Sequence, residues 1–168
     1  VGVSFAFELW RGGGGMSRAY VADERALLRR VVIKVLAPEL LAGLSVERFR
    51  REVLLAAQLQ HPHIVPVLST GEVDGIPWFT MPYVEGDSLS GLIRAMDSEG
   101  EPFPTSIGLR ILHDGLTGLH AAHELCVDGA PVNLVHRDFT PQNILVGLDG
   151  HSRLTYFGVA KAAPLACV

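Results

Sequence analysis

Charge of one sign, cysteine and long apolar runs are all scarce in this chain, and each shortage removes a class of function. Lys and Arg number 14 against 18 Asp and Glu, a net charge of −4 with no strongly basic stretch. Nucleic acid is therefore not an expected partner. The 2 cysteines, Cys126 and Cys167, are far apart and form no C-x-x-C. Neither a disulfide framework nor a zinc site is implied, and a reducing cytoplasm fits. Lys34 and Glu39 interrupt the richest apolar run, so no membrane segment is expected. The start has neither the charged opening nor the apolar core of a secretion signal. It opens on Val1 rather than Met, as a piece of something longer would. No internal repeat is present, and the only low-complexity stretch is the glycine run at 12–15.

What remains is a globular chain. Its 48% hydrophobic and 19% charged residues fit a packed core rather than disorder. A length of 168 residues allows one compact domain or two small lobes.

The first half reads as strands. Residues 5–10 and 17–23 flank Gly12-Gly13-Gly14-Gly15-Met16-Ser17, a loop that brings backbone close to a phosphate or simply turns a hairpin. Residues 30–36 form the next strand, with Lys34 a cation in apolar surroundings, where an unpaired charge is costly. Ser45 is placed to cap a helix to about Gln60 that aligns Phe49, Val53, Ala56 and Leu59. Glu52 falls on that same face, paired inward or bridged to Arg48 at a solvated edge. Residues 65–72 and 77–83 then form a hairpin across Asp74-Gly75.

The second half turns helical. A short helix is expected at 88–96. A longer one follows from 105 or 106 to about 125, with Leu112, Leu116 and Leu119 on its buried stripe. His120 and His123 read as a helix-surface pair, since no third ligand stands near them. Then comes His136-Arg137-Asp138-Phe139-Thr140-Pro141-Gln142-Asn143, and, beyond a hairpin turning at Asp149-Gly150, Tyr156-Phe157-Gly158. An Asp and an Asn at this spacing suit proton acceptance from a hydroxyl and a grip on Mg²⁺.

These motifs, in this order, resemble the bacterial-type serine/threonine protein kinases. His136 to Asn143 matches the catalytic loop H-R-D-x-x-x-x-N at every defining position. Gly12 and Gly14 resemble the phosphate-covering glycine loop, and Val31-Val32-Ile33-Lys34 resembles the strand that carries the phosphate-binding lysine. Thr80-Met81-Pro82-Tyr83-Val84-Glu85-Gly86 resembles the hinge. The resemblance implies an α+β, protein-kinase-like fold: residues 1–84 a five-stranded antiparallel N-lobe sheet with helix αC, residues 85–168 the hinge and the first part of a helical C-lobe.

It also implies roles. Lys34 would pair the α- and β-phosphates of ATP and be held by Glu52. Asp138 would take the proton and Asn143 would hold Mg²⁺. Ala19, Val32, Met81 and Leu145 would enclose the adenine, with the backbone at Tyr83 and Val84 bonding its edge. Val32 is larger and Ala19 smaller than the family's residues there, which roughly conserves the volume of the roof. Pro82 removes one backbone donor, so a bond to the adenine must come from a neighbour. The partners implied are ATP and a protein substrate.

Two positions depart from the pattern. Thr140 stands where many of these kinases carry a lysine on the γ-phosphate, and Tyr156 replaces the metal-binding Asp of D-F-G. A phenol, with a reference pKa of about 10, is a poor Mg²⁺ ligand. The expectation is a weak kinase or an inactive one. The alternatives are a pseudokinase that binds nucleotide, and a gene fragment. The family's activation segment and substrate-binding helices would follow Val168, and the helix at 106–125 would show an apolar face without them.

Overall fold

The computed structural model describes residues 5–10, 17–41 and 44–155. Gly12, Gly14 and Tyr156 lie outside the described residues. The chain divides into two compact units. One holds the described residues up to Ala57 together with Pro66–Tyr83; the other holds Gln58–Val65 and the described chain from Val84 onward.

The first unit is built on a five-stranded antiparallel sheet of β1 (Phe5–Trp10), β2 (Ser17–Glu24), β3 (Arg29–Leu36), β4 (Ser69–Val73) and β5 (Ile76–Pro82), ordered β1-β2-β3-β5-β4. Alternation along β3 sends Val31 and Ile33 to one face, where they pack with Ala22, Val35, Leu68 and Trp78. Directly paired residues share a face, so the other side gathers Ala19, Val32, Lys34, Phe79 and Met81 through the registers Ala19↔Lys34, Lys34↔Phe79 and Val32↔Met81. The hairpin between β4 and β5 turns at Asp74 and Gly75, with φ of 52° and 78°, as a twist-matched two-residue loop requires.

Helix α1 (Leu44–Ala56) packs on that second face, with the Phe49 ring 5.8 Å from Phe79. Phe49, Val53 and Ala56 are buried as the periodicity predicts. Two details differ. The helix starts at Leu44, so Ser45 is its second residue rather than its cap. It also stops before Leu59, which joins Ile64 and Ala122 in a cluster of the second unit.

The second unit contains α2 (Leu89–Glu99), α3 (Thr105–His123) and a three-stranded sheet ordered β10-β9-β6, from β6 (Gly86–Ser88), β9 (Ile144–Gly147) and β10 (Ser152–Leu154). Ser88 caps α2, its hydroxyl accepting from Gly91 N at 3.1 Å, and Gly100 ends it at φ 74°. Leu89, Ile111, Ile144 and Leu154 form the core, with Leu119 and Phe139 packed against it.

The buried stripe of α3 is not the predicted one. Leu112 and Leu116 are exposed, and the inward residues are Ile111, Asp114, Gly115, Gly118 and Ala122. Close approach explains the rotation. A Cβ on Gly118 would come within 2.6 Å of the His63 carbonyl, and one on Gly115 within 3.2 Å of the Phe139 ring. The helix thus presents its small residues where backbone and an aromatic ring press against it, and a leucine has no room there.

A small hairpin of β7 (Cys126–Val127) and β8 (Ala130–Pro131), turning at Asp128 and Gly129, precedes the catalytic-loop motif. The Asp-Gly pair was its sequence signal. Among the described residues, no helix is long and apolar enough to cross a membrane.

Candidate active-site residues in the two units

In the first unit, β2, β3 and β5 bring Ala19, Val32, Lys34 and Met81 onto one face. Lys34 is half-buried, and burial pushes its ammonium down to about 8. A cation in an apolar setting loses hydration, which favours the neutral amine. Glu52, on the helix that packs on this same face, is half-buried, with Oε2 closed off from solvent.

At the end of β5, Tyr83 N donates to Arg30 O at 3.4 Å, and the Arg30 guanidinium lies 5.6 Å above the Tyr83 ring. Bonded and non-bonded pairs alternate along an antiparallel ladder, so the neighbouring pair Val31↔Pro82 is non-bonded. Pro82 therefore sits where β3 asks for no N–H. The Tyr83 N–H is the one already committed, and Val84 is half-buried at the start of the second unit.

The second unit holds the catalytic-loop motif. His136 is buried; its Nε2–H donates to Thr155 O at 3.1 Å and its Nδ1 accepts from Asp138 N at 3.3 Å. That assigns a neutral ring with the proton on Nε2. Between them Arg137 takes a φ of 62°, a left-handed conformation that costs a non-glycine residue roughly 1–2 kcal/mol. The two bonds of His136 brace the chain on either side of that turn, and Phe139 meets the His136 ring edge-on at 6.4 Å.

Asp138 and Asn143 are joined directly, a pairing the sequence reading did not anticipate. Asn143 Nδ2 donates to Asp138 Oδ2 at 2.7 Å, to Asp138 O at 3.0 Å and to Thr140 Oγ1 at 3.3 Å. Thr155, which sequence reading passed over, closes the arrangement from β10's end. Its N–H donates to Asn143 O at 2.8 Å, and its hydroxyl reaches Asn143 O at 3.2 Å and Oδ1 at 3.4 Å. Its position next to Tyr156 was the available hint. Leu145, in β9, is half-buried and paired with Ser88 and Arg153.

Sequence reading also missed Asp114, buried on α3. Burial works against its charge, but the Ser152 backbone N–H at 3.3 Å, Arg110 Nε at 2.9 Å, His63 and His113 outweigh it and hold the carboxyl below its ordinary range. This carboxylate ties α3 to β10 and to the His63 loop beneath the catalytic-loop motif.

The described residues around Asn143 do not make a site for a resident Mg²⁺. Asn143 supplies one neutral amide oxygen, already reached by a hydroxyl. Among the described residues, no group of three or more His, Cys, Asp or Glu stands together as a ligand set, and the next motif position is a phenol. Mg²⁺ takes several hard, mostly charged oxygens in near-octahedral array, so these residues do not fit it as a resident ion.

Comparison with known proteins agrees with this arrangement of motifs. The profile of the family described as protein kinase domain matches residues 9–166. The chain is 41% identical over 157 residues to the Bifidobacterium longum protein named "Probable serine/threonine-protein kinase pknA2", covering 91% of this chain and 19% of that one. It is 37% identical to the Myxococcus xanthus tyrosine-protein kinase MasK, covering 89% and 24%, and 36% identical to the Bacillus subtilis serine/threonine-protein kinase PrkC, covering 90% and 22%. It thus spans about a fifth to a quarter of the length of these relatives. The crystal structure of the Mycobacterium tuberculosis PknI kinase domain superposes with a TM-score of 0.76 at 29% identity, over 96% of this chain and 62% of that one. The family as a whole works with ATP, Mg²⁺ and protein substrates. The chain belongs to the protein kinase domain family.

Proposed function

We propose that this chain is the ATP-binding and catalytic-loop portion of a cytoplasmic serine/threonine protein kinase, weak or inactive in phosphoryl transfer while Tyr156 stands in the D-F-G position. The observation that carries the reading is Asp138 held at its carboxylate by Asn143, on a loop braced by the neutral His136. In this reading Lys34, steadied by Glu52, meets the α- and β-phosphates. Gly12 and Gly14 cover them. Ala19, Val32 and Met81 offer their sheet face to the adenine, and the family resemblance assigns Leu145 and the Val84 N–H to it as well, since that of Tyr83 is taken by Arg30.

Asp138 accepts the proton of a Ser or Thr hydroxyl as that oxygen bonds to the γ-phosphorus and the bond to the β-bridging oxygen breaks, leaving ADP. The side chains named here bind, orient and take the proton. The second reading is a pseudokinase that binds nucleotide without Mg²⁺; Tyr156 and Thr140 favour it.

A thermal-shift titration with ATP, with and without Mg²⁺, separates these readings. A Mg²⁺-dependent rise in melting temperature supports the kinase. An equal rise without the ion supports the pseudokinase, and absence of a cooperative melt marks a fragment. Tyr156→Asp is expected to make the ATP response Mg²⁺-dependent. If Tyr156→Asp responds as the parent does, the account of that position is wrong.

A further inference from the structure

We infer that Thr155 is a positioning residue, which with Asn143 holds Asp138 in place without a metal ion. The functional weight of this rests on Asp138 being the proton acceptor proposed above; the geometry stands apart from it. The Asn143 amide is engaged on both sides. Its Nδ2 serves two acceptors on Asp138 and one on Thr140, at 2.7, 3.0 and 3.3 Å. Its Oδ1 lies 3.4 Å from the Thr155 hydroxyl, which shares its proton between that oxygen and Asn143 O at 3.2 Å.

Thr155 is itself pinned. It is buried, its N–H bonds Asn143 O at 2.8 Å, and its carbonyl accepts from His136 Nε2 at 3.1 Å. His136 Nδ1 in turn accepts from Asp138 N at 3.3 Å. The bonds form a closed circuit: Thr155 to Asn143, Asn143 to the Asp138 carboxylate, Asp138 N–H to His136, and His136 back to Thr155. Every link is a neutral or charge-assisted hydrogen bond between protein groups, and no link needs a cation. Where a metal is poorly provided for, such a circuit preorganises the base by itself.

The hydroxyl is the link a side-chain change removes cleanly. Thr155→Val keeps shape and backbone bonds but deletes the donor to Oδ1, whereas Thr155→Ser keeps it. The test follows the Asn143 side-chain amide by ¹⁵N–¹H spectroscopy on the whole chain in EDTA. Thr155→Val is expected to shift that resonance pair and speed its hydrogen exchange at least about fivefold, with Thr155→Ser close to the parent. An unchanged Asn143 amide in a folded Thr155→Val protein overturns the inference. If Thr155→Val does not fold, Thr155→Ala and Thr155→Ser are compared in the same way, and equal exchange in those two overturns it as well. ATP binding enters neither outcome, so the nucleotide reading stands or falls on its own titration.

Discussion

Lys34 in the first unit and Asp114 in the second are both ionisable groups taken out of water, and the protein treats them in opposite ways. At Lys34 desolvation prevails: the ammonium sits on an apolar sheet face and its pKa falls to about 8. At Asp114 desolvation is outweighed by a backbone N–H, a guanidinium and two imidazoles, and the pKa falls below the carboxylate norm because the charge is answered. A strand face presents a group but cannot surround it. A helix buried against a hairpin and a loop can converge donors from several directions on one carboxylate. The first arrangement makes charge costly on an apolar face, and the second locks a scaffold.

The largest effect is expected at Asp114. Asp114→Ala strands the Ser152 N–H and removes the partner of Arg110, and the loss of a buried, answered charge costs about 3 kcal/mol, read by urea unfolding. The acid limb sharpens the point. Since the folded pKa is depressed, this carboxylate's contribution is present above its ordinary pKa and lost as pH falls through the folded value. Asp114→Asn is expected to flatten the stability profile below about pH 4, and an unchanged acid limb would remove Asp114 from the ledger of acid unfolding.

Lys34 gives a slope of the same sign in a different window and from the opposite cause, a charge penalised rather than answered. Its folded pKa is about 8 against an ordinary 10.5, so the unfolded chain binds the extra proton between those values and stability rises with pH across them. Lys34→Met is expected to abolish that rise. Amine labelling against pH, with an inflection near 10.5 in the parent, would contradict the burial argument.

The smallest effect is expected at Asp149. The Arg153 guanidinium and the His151 N–H hold its carboxyl at about 2, yet the side chain stands in solvent at the tip of a hairpin. Exposed ion pairs contribute little. Asp149→Asn should therefore leave the melting temperature within measurement error, and a clear drop would show that a lowered pKa matters even without burial.

Much of the fold was legible because it rests on local rules. Strand alternation placed Ile33 opposite Lys34, and the Asp74-Gly75 pair gave a two-residue turn; Ser88, expected as the first residue of a helix at 88–96, instead caps α2. The pairing of Asp138 with Asn143 was not read from the sequence, which gave the two residues separate roles. The rotation of α3 was not legible, since leucine spacing predicts a stripe but not which stripe faces inward. Neighbours distant in sequence settled it: the His63 carbonyl against Gly118 and the Phe139 ring against Gly115. The expected burial of Leu112 and Leu116 failed for that reason. Thr155 and Asp114 were invisible for the same cause, because their partners lie 12 and 38 residues away along the chain.

The order of residues alone settled the kind of protein this is, the strands and turns of its sheet, and the phenol standing where the family's metal-binding carboxylate belongs, for these depend on near neighbours and side-chain chemistry. Packing alone decided which face of α3 turns inward, which N–H of the hinge is already taken, and which hydroxyl steadies Asn143. Those outcomes depend on directions and distances between segments far apart in the chain, and hydrogen bonding and close contact are decided only where such segments meet.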